Sequence, residues 1–482
     1  MSESWQPKLG DKVFRPRRIT RFHLRRVLGV PGLFSAAYGN VGSSIYYGLG
    51  VVAMSALGLT PAVLMLSGVL FLFTAMTYAE GATALPEAGG SGAFAHRAFN
   101  HWVSFIASWV LMLDYIVTMS ISAFTAANYL GYFFPAIKQW PTNSIGGVII
   151  VAILAFVNIR GVQYSSRLNI ALVLVDILTQ VSIVVLGVLM IINIPQLLRN
   201  IHWGVAPTMN QLLFGISISM IAYTGIETVA NLGSEAREPE KSIPRAVLFV
   251  FVTVIILYTF LSMTALSAYP VYQDVNGHWV TDLTRRFLED PIMGIANVVP
   301  ALIRPVLSFW VAILAVTILV IATNAGMLGA SRLAYFMGQR QQLPGVISKV
   351  SARARVPANA IIIFSIIASG LIATGRIMLL ADLYAFGAVL AYTTAHASII
   401  ALRVKEPNLP RPFKIPWNIH IRGREIPVTA IIGGLATFVT WFIVVYTHEI
   451  GRIVGFAWLG IGLLVYYIYR RRKRKLAAGG SG

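Results

Sequence analysis

Long apolar runs alternate along the chain with short polar stretches. Twelve runs stand out, centred roughly on residues 31–56, 61–83, 102–130, 145–158, 168–192, 211–234, 244–268, 302–330, 358–374, 380–401, 428–447 and 453–469. They are numbered span 1 to span 12 in that order. An α-helix needs about 20 residues to cross a hydrocarbon layer of about 30 Å, and most runs supply them. Runs 4 and 9 are short. The pattern predicts an all-α integral membrane protein of about 12 transmembrane helices. The first thirty residues are charged and the first apolar run is too long for a cleaved h-region, so no signal peptide is expected. Gly479–Gly482 reads as a flexible tail.

Two runs are interrupted by glycine and polar residues. In span 1 the interruption is Tyr38-Gly39-Asn40-Val41-Gly42-Ser43-Ser44-Ile45-Tyr46-Tyr47-Gly48; in span 6 it is Ala222-Tyr223-Thr224-Gly225-Ile226-Glu227-Thr228. Glycine lets a helix unwind. Unwound backbone at membrane depth survives only where protein covers it or it lines a cavity. Small residues also serve close helix packing, but Asn40, Ser43, Ser44, Thr224 and Glu227 need polar partners there. The two breaks lie five spans apart. A repeat of five spans is inverted relative to its copy, and matching interrupted spans in two halves point to a carrier's midplane site.

Composition removes the soluble alternatives. The chain of 482 residues is 57% hydrophobic and 12% charged, against about 45–50% and about 25% in a soluble protein. Disorder is excluded by the same apolar excess. The net charge is +20, and it is one-sided. The N-terminal arm, the C-terminal tail and the loops on their side carry 31 of the 38 Lys and Arg, and the opposite loops carry 6. The bias predicts both termini in the cytoplasm of a multi-pass cell-membrane protein, with a basic arm over 1–29 and a basic tail over 471–482. Arg470–Lys475 then face anionic lipid rather than nucleic acid. With no cysteine, no phosphate loop and no His-Glu-x-x-His, the chain is expected to need no cofactor. No nucleophile–base set suggests an enzyme, and nothing supplies a channel's carbonyl filter or ring of charge.

Three acids fall near mid-membrane: Asp114 in span 3, Asp176 in span 5 and Glu227 in the span 6 break. Asp176 lies nine residues beyond Arg167, roughly 13–14 Å along a helix. No Lys or Arg sits at comparable depth, and a buried unpaired carboxylate costs several kcal/mol. Each must be protonated, hydrogen-bonded or matched by a cation that comes and goes. Asp114, Tyr115, Thr118 and Ser122 form one helical stripe that faces protein or water. Thr323 and Asn324 are polar positions in span 8. Tyr384, Tyr392 and His396 in span 10 read as packing or satisfied core residues. Glu80 and Asp382 read as interfacial or capping groups.

Three segments carry a likeness. They are Tyr223–Glu227 with Ser234–Ala246, Gly329–Tyr335 through Leu343-Pro344 and Val356–Ala360, and Pro86, Gly89-Gly90 and Arg97. On these the chain resembles the amino acid–polyamine–organocation permeases over nearly its whole length. The resemblance implies a LeuT-like five-plus-five inverted repeat, with spans 1 and 6 discontinuous and two C-terminal helices outside it. The repeats would be 30–193 and 210–403, followed by spans 11–12 over 427–470. It implies secondary active transport of a small molecule, an amino acid or related amine. The substrate carboxylate would meet backbone N–H groups near Gly42, Ser43 and Ser44, and the ammonium would meet carbonyls near Ala222, Tyr223 and Gly225. Gly39, Asn40, Tyr47, Tyr115 and Thr224 complete the expected substrate contacts.

Two positions depart from that pattern. Gly42-Ser43-Ser44-Ile45-Tyr46 stands where the family usually has Gly-Ser-Gly-Ile-Phe. Asp176 stands where many amino acid permeases have a Lys. The reversed sign makes Asp176, with Thr323 and span 1 carbonyls, a candidate site for the coupling ion, H+ or Na+. A bound Na+ or K+ is the metal reading of the same pair. Asp114, Glu227 and Asn324 are the other candidate coupling groups; Glu227 would couple protons or hold the span 6 break. A second resemblance, to KUP-type potassium uptake proteins, rests on Tyr38–Ser44, the Asp114–Ser122 stripe and Thr224–Glu227. It implies potassium–proton symport as the alternative.

Overall fold

The computed structural model describes residues 28–87, 89–161, 166–351, 356–421 and 423–479, with backbone alone for 166, 234 and 473–479. Most of the basic arm (1–27) and the last tail residues, 480–482, lie outside them. Among the described residues ten helical stretches are long and apolar enough to cross a membrane. The first, Val30–Ala84, spans 55 residues, well over what one crossing needs. It turns at Leu57 (φ 47°, ψ −125°), which separates span 1 from span 2 (Thr60–Ala84). Ala358–Ala373 is a shorter apolar helix at the position of span 9.

The remaining spans are His101–Leu130 (3), Thr142–Ile159 (4), Ser166–Met190 (5), Met209–Asn231 (6), Pro239–Ala268 (7), Arg304–Gln339 (8), Ile377–Lys405 (10), Val428–Thr447 (11) and Glu449–Gly479 (12). Local chemistry sets their starts. Asn100 caps span 3 by accepting from the N–H groups of Trp102 and Val103, and Thr208 with Gln211 closes a capping box on span 6. Two short hairpins, Val271–Gln273 with Trp279–Thr281 and Asn418–Ile421 with Arg424–Pro427, lie in loops.

Span 3 is the axis of the molecule. Its apolar window is entirely enclosed, whereas that of span 12 is only 22% buried. The outer faces of spans 4, 5, 11 and 12 show Ile149, Phe156, Leu178, Phe442 and Ile461, which suits contact with acyl chains. Span 3 packs chiefly on span 8, span 2 chiefly on span 7 and the second half of span 1 chiefly on span 6, while span 4 packs on span 9 as well as on span 3. Apart from that of spans 4 and 3, each of these pairs joins a span to the one five places on. Spans 11 and 12 lie against span 10.

The two interruptions differ in the structure. In span 6 the backbone opens: Thr224 is extended (φ −80°, ψ 155°) and Gly225 has φ 116°. In span 1, helices Val30–Val41 and Ile45–Ala56 are joined by a single 3-10 turn, Gly42–Ser44, and dihedrals stay helical through Ile45. The expected opening of span 1 is therefore a tightened turn, held because hydroxyl groups satisfy its carbonyls. Ser43 and Ser44 donate to Asn40 O at 2.9 and 3.5 Å, and Tyr258 donates to Val41 O at 2.5 Å.

Candidate substrate and coupling sites

The span 1 turn and the span 6 break touch. A Cβ on Gly225 would come within 2.9 Å of the Asn40 side chain, so glycine is needed there for space as well as for its positive φ. Asn40 Nδ2 donates to Thr228 Oγ1 at 3.0 Å, while its Oδ1 is buried without a partner. Ser44 Oγ lies 2.8 Å from Tyr47 OH. Gly39, Gly42 and Ser43 are buried within the turn, and Gly48 faces Ala222. The Thr224 hydroxyl donates to Ile221 O at 2.9 Å and the Tyr223 hydroxyl to Leu64 O at 2.7 Å. The Gly42 N–H is already bonded to Tyr38 O. The turn therefore does not present that N–H to a substrate carboxylate.

Beside the break lie two of the predicted acids. Glu227 Oε2 accepts from Gly225 N–H at 3.1 Å and from Tyr392 OH at 3.4 Å, and Oε1 has no partner. Asp114 Oδ1 has none either. The two carboxyl groups are close enough for a charge on one to be felt at the other. Tyr78, Tyr115, Tyr384 and Tyr392 lie within reach of both, all fully enclosed. Thr118 donates to Tyr384 OH at 2.7 Å, Asn231 Nδ2 bonds Tyr115 OH, and Tyr78 OH is buried without a partner. Asp114, Tyr115 and Thr118 of the span 3 stripe thus belong to this cluster, whereas no contact ties Ser122 to it. No ion pair among the described residues involves Asp114, Asp176 or Glu227.

A cavity of about 200 Å³ adjoins this cluster at Tyr115 and Asn231. Its lining runs from Tyr115, Thr228 and Asn231 to Leu28 and Arg332, toward the side of the N-terminal arm. On that side Leu28 exchanges backbone bonds with Glu235 and Arg237, at 3.0 and 2.7 Å, and Arg332 pairs with Glu235 at 3.1 Å.

Asp176 stands apart from the acid pair, between spans 5 and 1. Its Oδ1 accepts from Tyr46 OH at 2.6 Å; its Oδ2 accepts from Tyr38 OH at 3.1 Å and from Gln180 Nε2 at 2.9 Å. The structure does not bring Thr323 to it: that hydroxyl donates to Leu319 O at 2.8 Å. Asn324 accepts from Asn158 at 2.7 Å and lines the cavity. Gln180 follows Asp176 by one helical turn and was legible from the i+4 spacing. The tyrosines were not, since burial of their rings gives the same pattern as packing. Glu80 and Asp382, read as interfacial, are instead buried and paired, with Arg403 and His448 respectively. His396 is a satisfied core histidine, bonded to Thr74 and Thr77 at 3.2 and 2.9 Å.

The comparisons agree with a carrier. The methylthioribose transporter of Bacillus subtilis (strain 168) is 25% identical over 90% of this chain and 90% of its own length. The branched-chain amino acid permease BcaP of the same strain is 25% identical over 94% and 95%, and the low-affinity putrescine importer PlaP of Escherichia coli (strain K12) 25% over 86% and 87%. These relatives lend the potassium–proton alternative no support. The amino acid permease profile matches residues 28–467. The chain is thus a multi-pass membrane transporter rather than an enzyme, and it belongs to the amino acid permease family.

Proposed function

We propose that this chain moves an amino acid or related amine across the cell membrane by alternating access, driven by a proton or sodium gradient. The arm side is the cytoplasm on this reading, as the distribution of Lys and Arg supports. The substrate sits where the Gly42–Ser44 turn meets the Thr224–Gly225 break. Its ammonium group is received by Asp114 and Glu227, with the faces of the surrounding tyrosines as secondary partners. The observation that carries this is the pair of buried, unpartnered carboxylate oxygens, Asp114 Oδ1 and Glu227 Oε1, with no basic side chain paired to either. Two such groups are costly unless a cation arrives.

The closed span 1 turn favours substrates whose recognition is dominated by the amine. Gly39, Asn40, Tyr47, Ala222 and Tyr223 shape the remaining walls. Spans 1–5 (30–193) and 6–10 (210–403) are the two repeats, a reading supported by the packing of 2 on 7, 3 on 8 and 4 on 9. Potassium–proton symport uses the same acids, but only the likeness in spans 1, 3 and 6 favours it.

Counterflow in proteoliposomes with labelled leucine, lysine and putrescine tests the proposal. Exchange of at least one is expected, with loss in Asp114→Asn and Glu227→Gln. A wild-type protein that exchanges none of the three, yet is stabilised by K+ in a thermal-shift assay, would reverse the ranking.

A further inference from the structure

We infer that the coupling ion is a proton taken up at Asp176, and that no sodium ion binds there. The inference rests on the reading of the chain as a gradient-driven carrier. Carrier sodium sites are built from unwound carbonyls and half-helix ends. The span 1 carbonyls on either side of the turn already accept hydroxyl hydrogen bonds. Val41 O accepts from Tyr258, Tyr46 O accepts from Tyr129 at 3.0 Å, and Asn40 O accepts from Ser43 and Ser44. Span 1 keeps helical dihedrals past the turn, and the Thr323 hydroxyl is turned to Leu319 O. The side chains facing the Asp176 carboxyl, those of Tyr38, Tyr46 and Gln180, all donate to it.

A proton needs far less: one lone pair and one acceptor for the resulting O–H. Gln180 Oε1 is buried with no partner. Turning the amide over puts Oε1 where Nε2 now donates. Protonated Asp176 Oδ2 then donates to Oε1, and Tyr46 still donates to Oδ1. The Asp176–Gln180 bond thus has two forms that differ by one proton and one amide flip. Amide orientation is assigned from bonding partners, so both are open to this side chain.

Tyr38 and Tyr46 flank the span 1 turn on its two sides. Ionised Asp176 grips both through charge-assisted bonds, about twice as strong as neutral ones. Protonation relaxes the grip of span 5 on span 1. The titratable groups facing Asp176 are Tyr38 and Tyr46 on span 1 and Tyr258 on span 7. Span 8 carries its charges at Arg304 and Arg332, toward its ends.

The test uses the full chain in proteoliposomes with labelled leucine, lysine and putrescine. An inward proton gradient in sodium-free buffer is expected to drive accumulation, and an inward sodium gradient at equal pH is not. Asp176→Asn should cut proton-driven accumulation by about tenfold or more while counterflow falls much less. Difference infrared spectra on acidification should show a carboxylic-acid C=O band that Asp176→Asn removes and Asp114→Asn keeps. Gln180→Met, as a second variant, should move the pH midpoint of accumulation. Sodium-driven accumulation, an infrared band that survives Asp176→Asn, or an unmoved midpoint overturns the proton site. Absence of counterflow with all three probes sinks the substrate reading alone, and the infrared band then decides the proton site.

Discussion

His448 Nδ1 lies 2.7 Å from Asp382 Oδ1, and across the ring its Nε2 lies 2.8 Å from Ser217 Oγ. This chain of contacts ties span 10, the end of span 11 and the first half of span 6 into one unit. The Ser217 hydroxyl also lies 2.8 Å from Phe214 O. It has one proton for two acceptors, so its direction depends on whether the imidazole carries one proton or two. The Phe214 ring stacks on the imidazole at 4.0 Å, closing it off. His448→Ala leaves a buried carboxyl group without its partner, a change that costs about 3–5 kcal/mol when the pair is ionised. The melting temperature in detergent should fall, and fall less for His448→Gln, which keeps a hydrogen-bonding group there.

Glu80 accepts two bonds of 2.7 Å from Arg403, with Arg411 at 3.4 Å and the Ile415 N–H at 2.9 Å. Span 2, span 10 and the segment after it are thereby fastened together. Arg403→Ala should destabilise by about 3 kcal/mol, because the buried Glu80 loses its two short bonds and keeps only Arg411 at 3.4 Å and the Ile415 N–H. Arg403→Lys should fall between, since an ammonium cannot form the two parallel bonds. Melting curves of the two variants side by side check the order.

Gly225→Ala meets two obstacles at once, a backbone at φ 116° and the Asn40 side chain 2.9 Å from the new Cβ. Strain of this kind costs on the order of 1–3 kcal/mol. Exchange activity should be lost more completely than stability, because the break itself is displaced. Thermal melting and counterflow on the same preparation separate the two.

In the loop between spans 7 and 8, burial first and then the neighbouring Asp290 carboxylate push Glu289 up from 4.5 to about 7, with Lys138 pulling the other way. Asp290 is also raised, by burial, against the opposing Lys138 at 2.5 Å. A carboxyl raised in the fold favours the fold when protonated. The Glu289 contribution is complete below 4.5 and lost as the pH climbs through about 7. The protein should therefore melt at a lower temperature at about pH 8 than at about pH 5, and Glu289→Gln should shrink that difference.

Periodicity made the spans legible because lipid imposes it: every crossing must be long and apolar. The acids were legible because a charge stands out within any long apolar run. The opening of span 6 was visible in Thr224-Gly225, while the similar glycines of span 1 close into a turn. In the span 1 turn the hydroxyls of Ser43, Ser44 and Tyr258 satisfy the carbonyls of Asn40 and Val41 while the dihedrals stay helical. That satisfaction comes partly from span 7, more than 200 residues away in the chain, and no local pattern contains it.

The amino-acid order alone thus determined the membrane class, the place of the acids within apolar runs and the family likeness, since each depends on local composition or short motifs. Only the tertiary structure decided which acids share a chamber, that Asp176 meets two tyrosines rather than Thr323, and that Glu80 and Asp382 are paired. Those outcomes depend on distances between spans far apart in the chain, and such distances are set by packing.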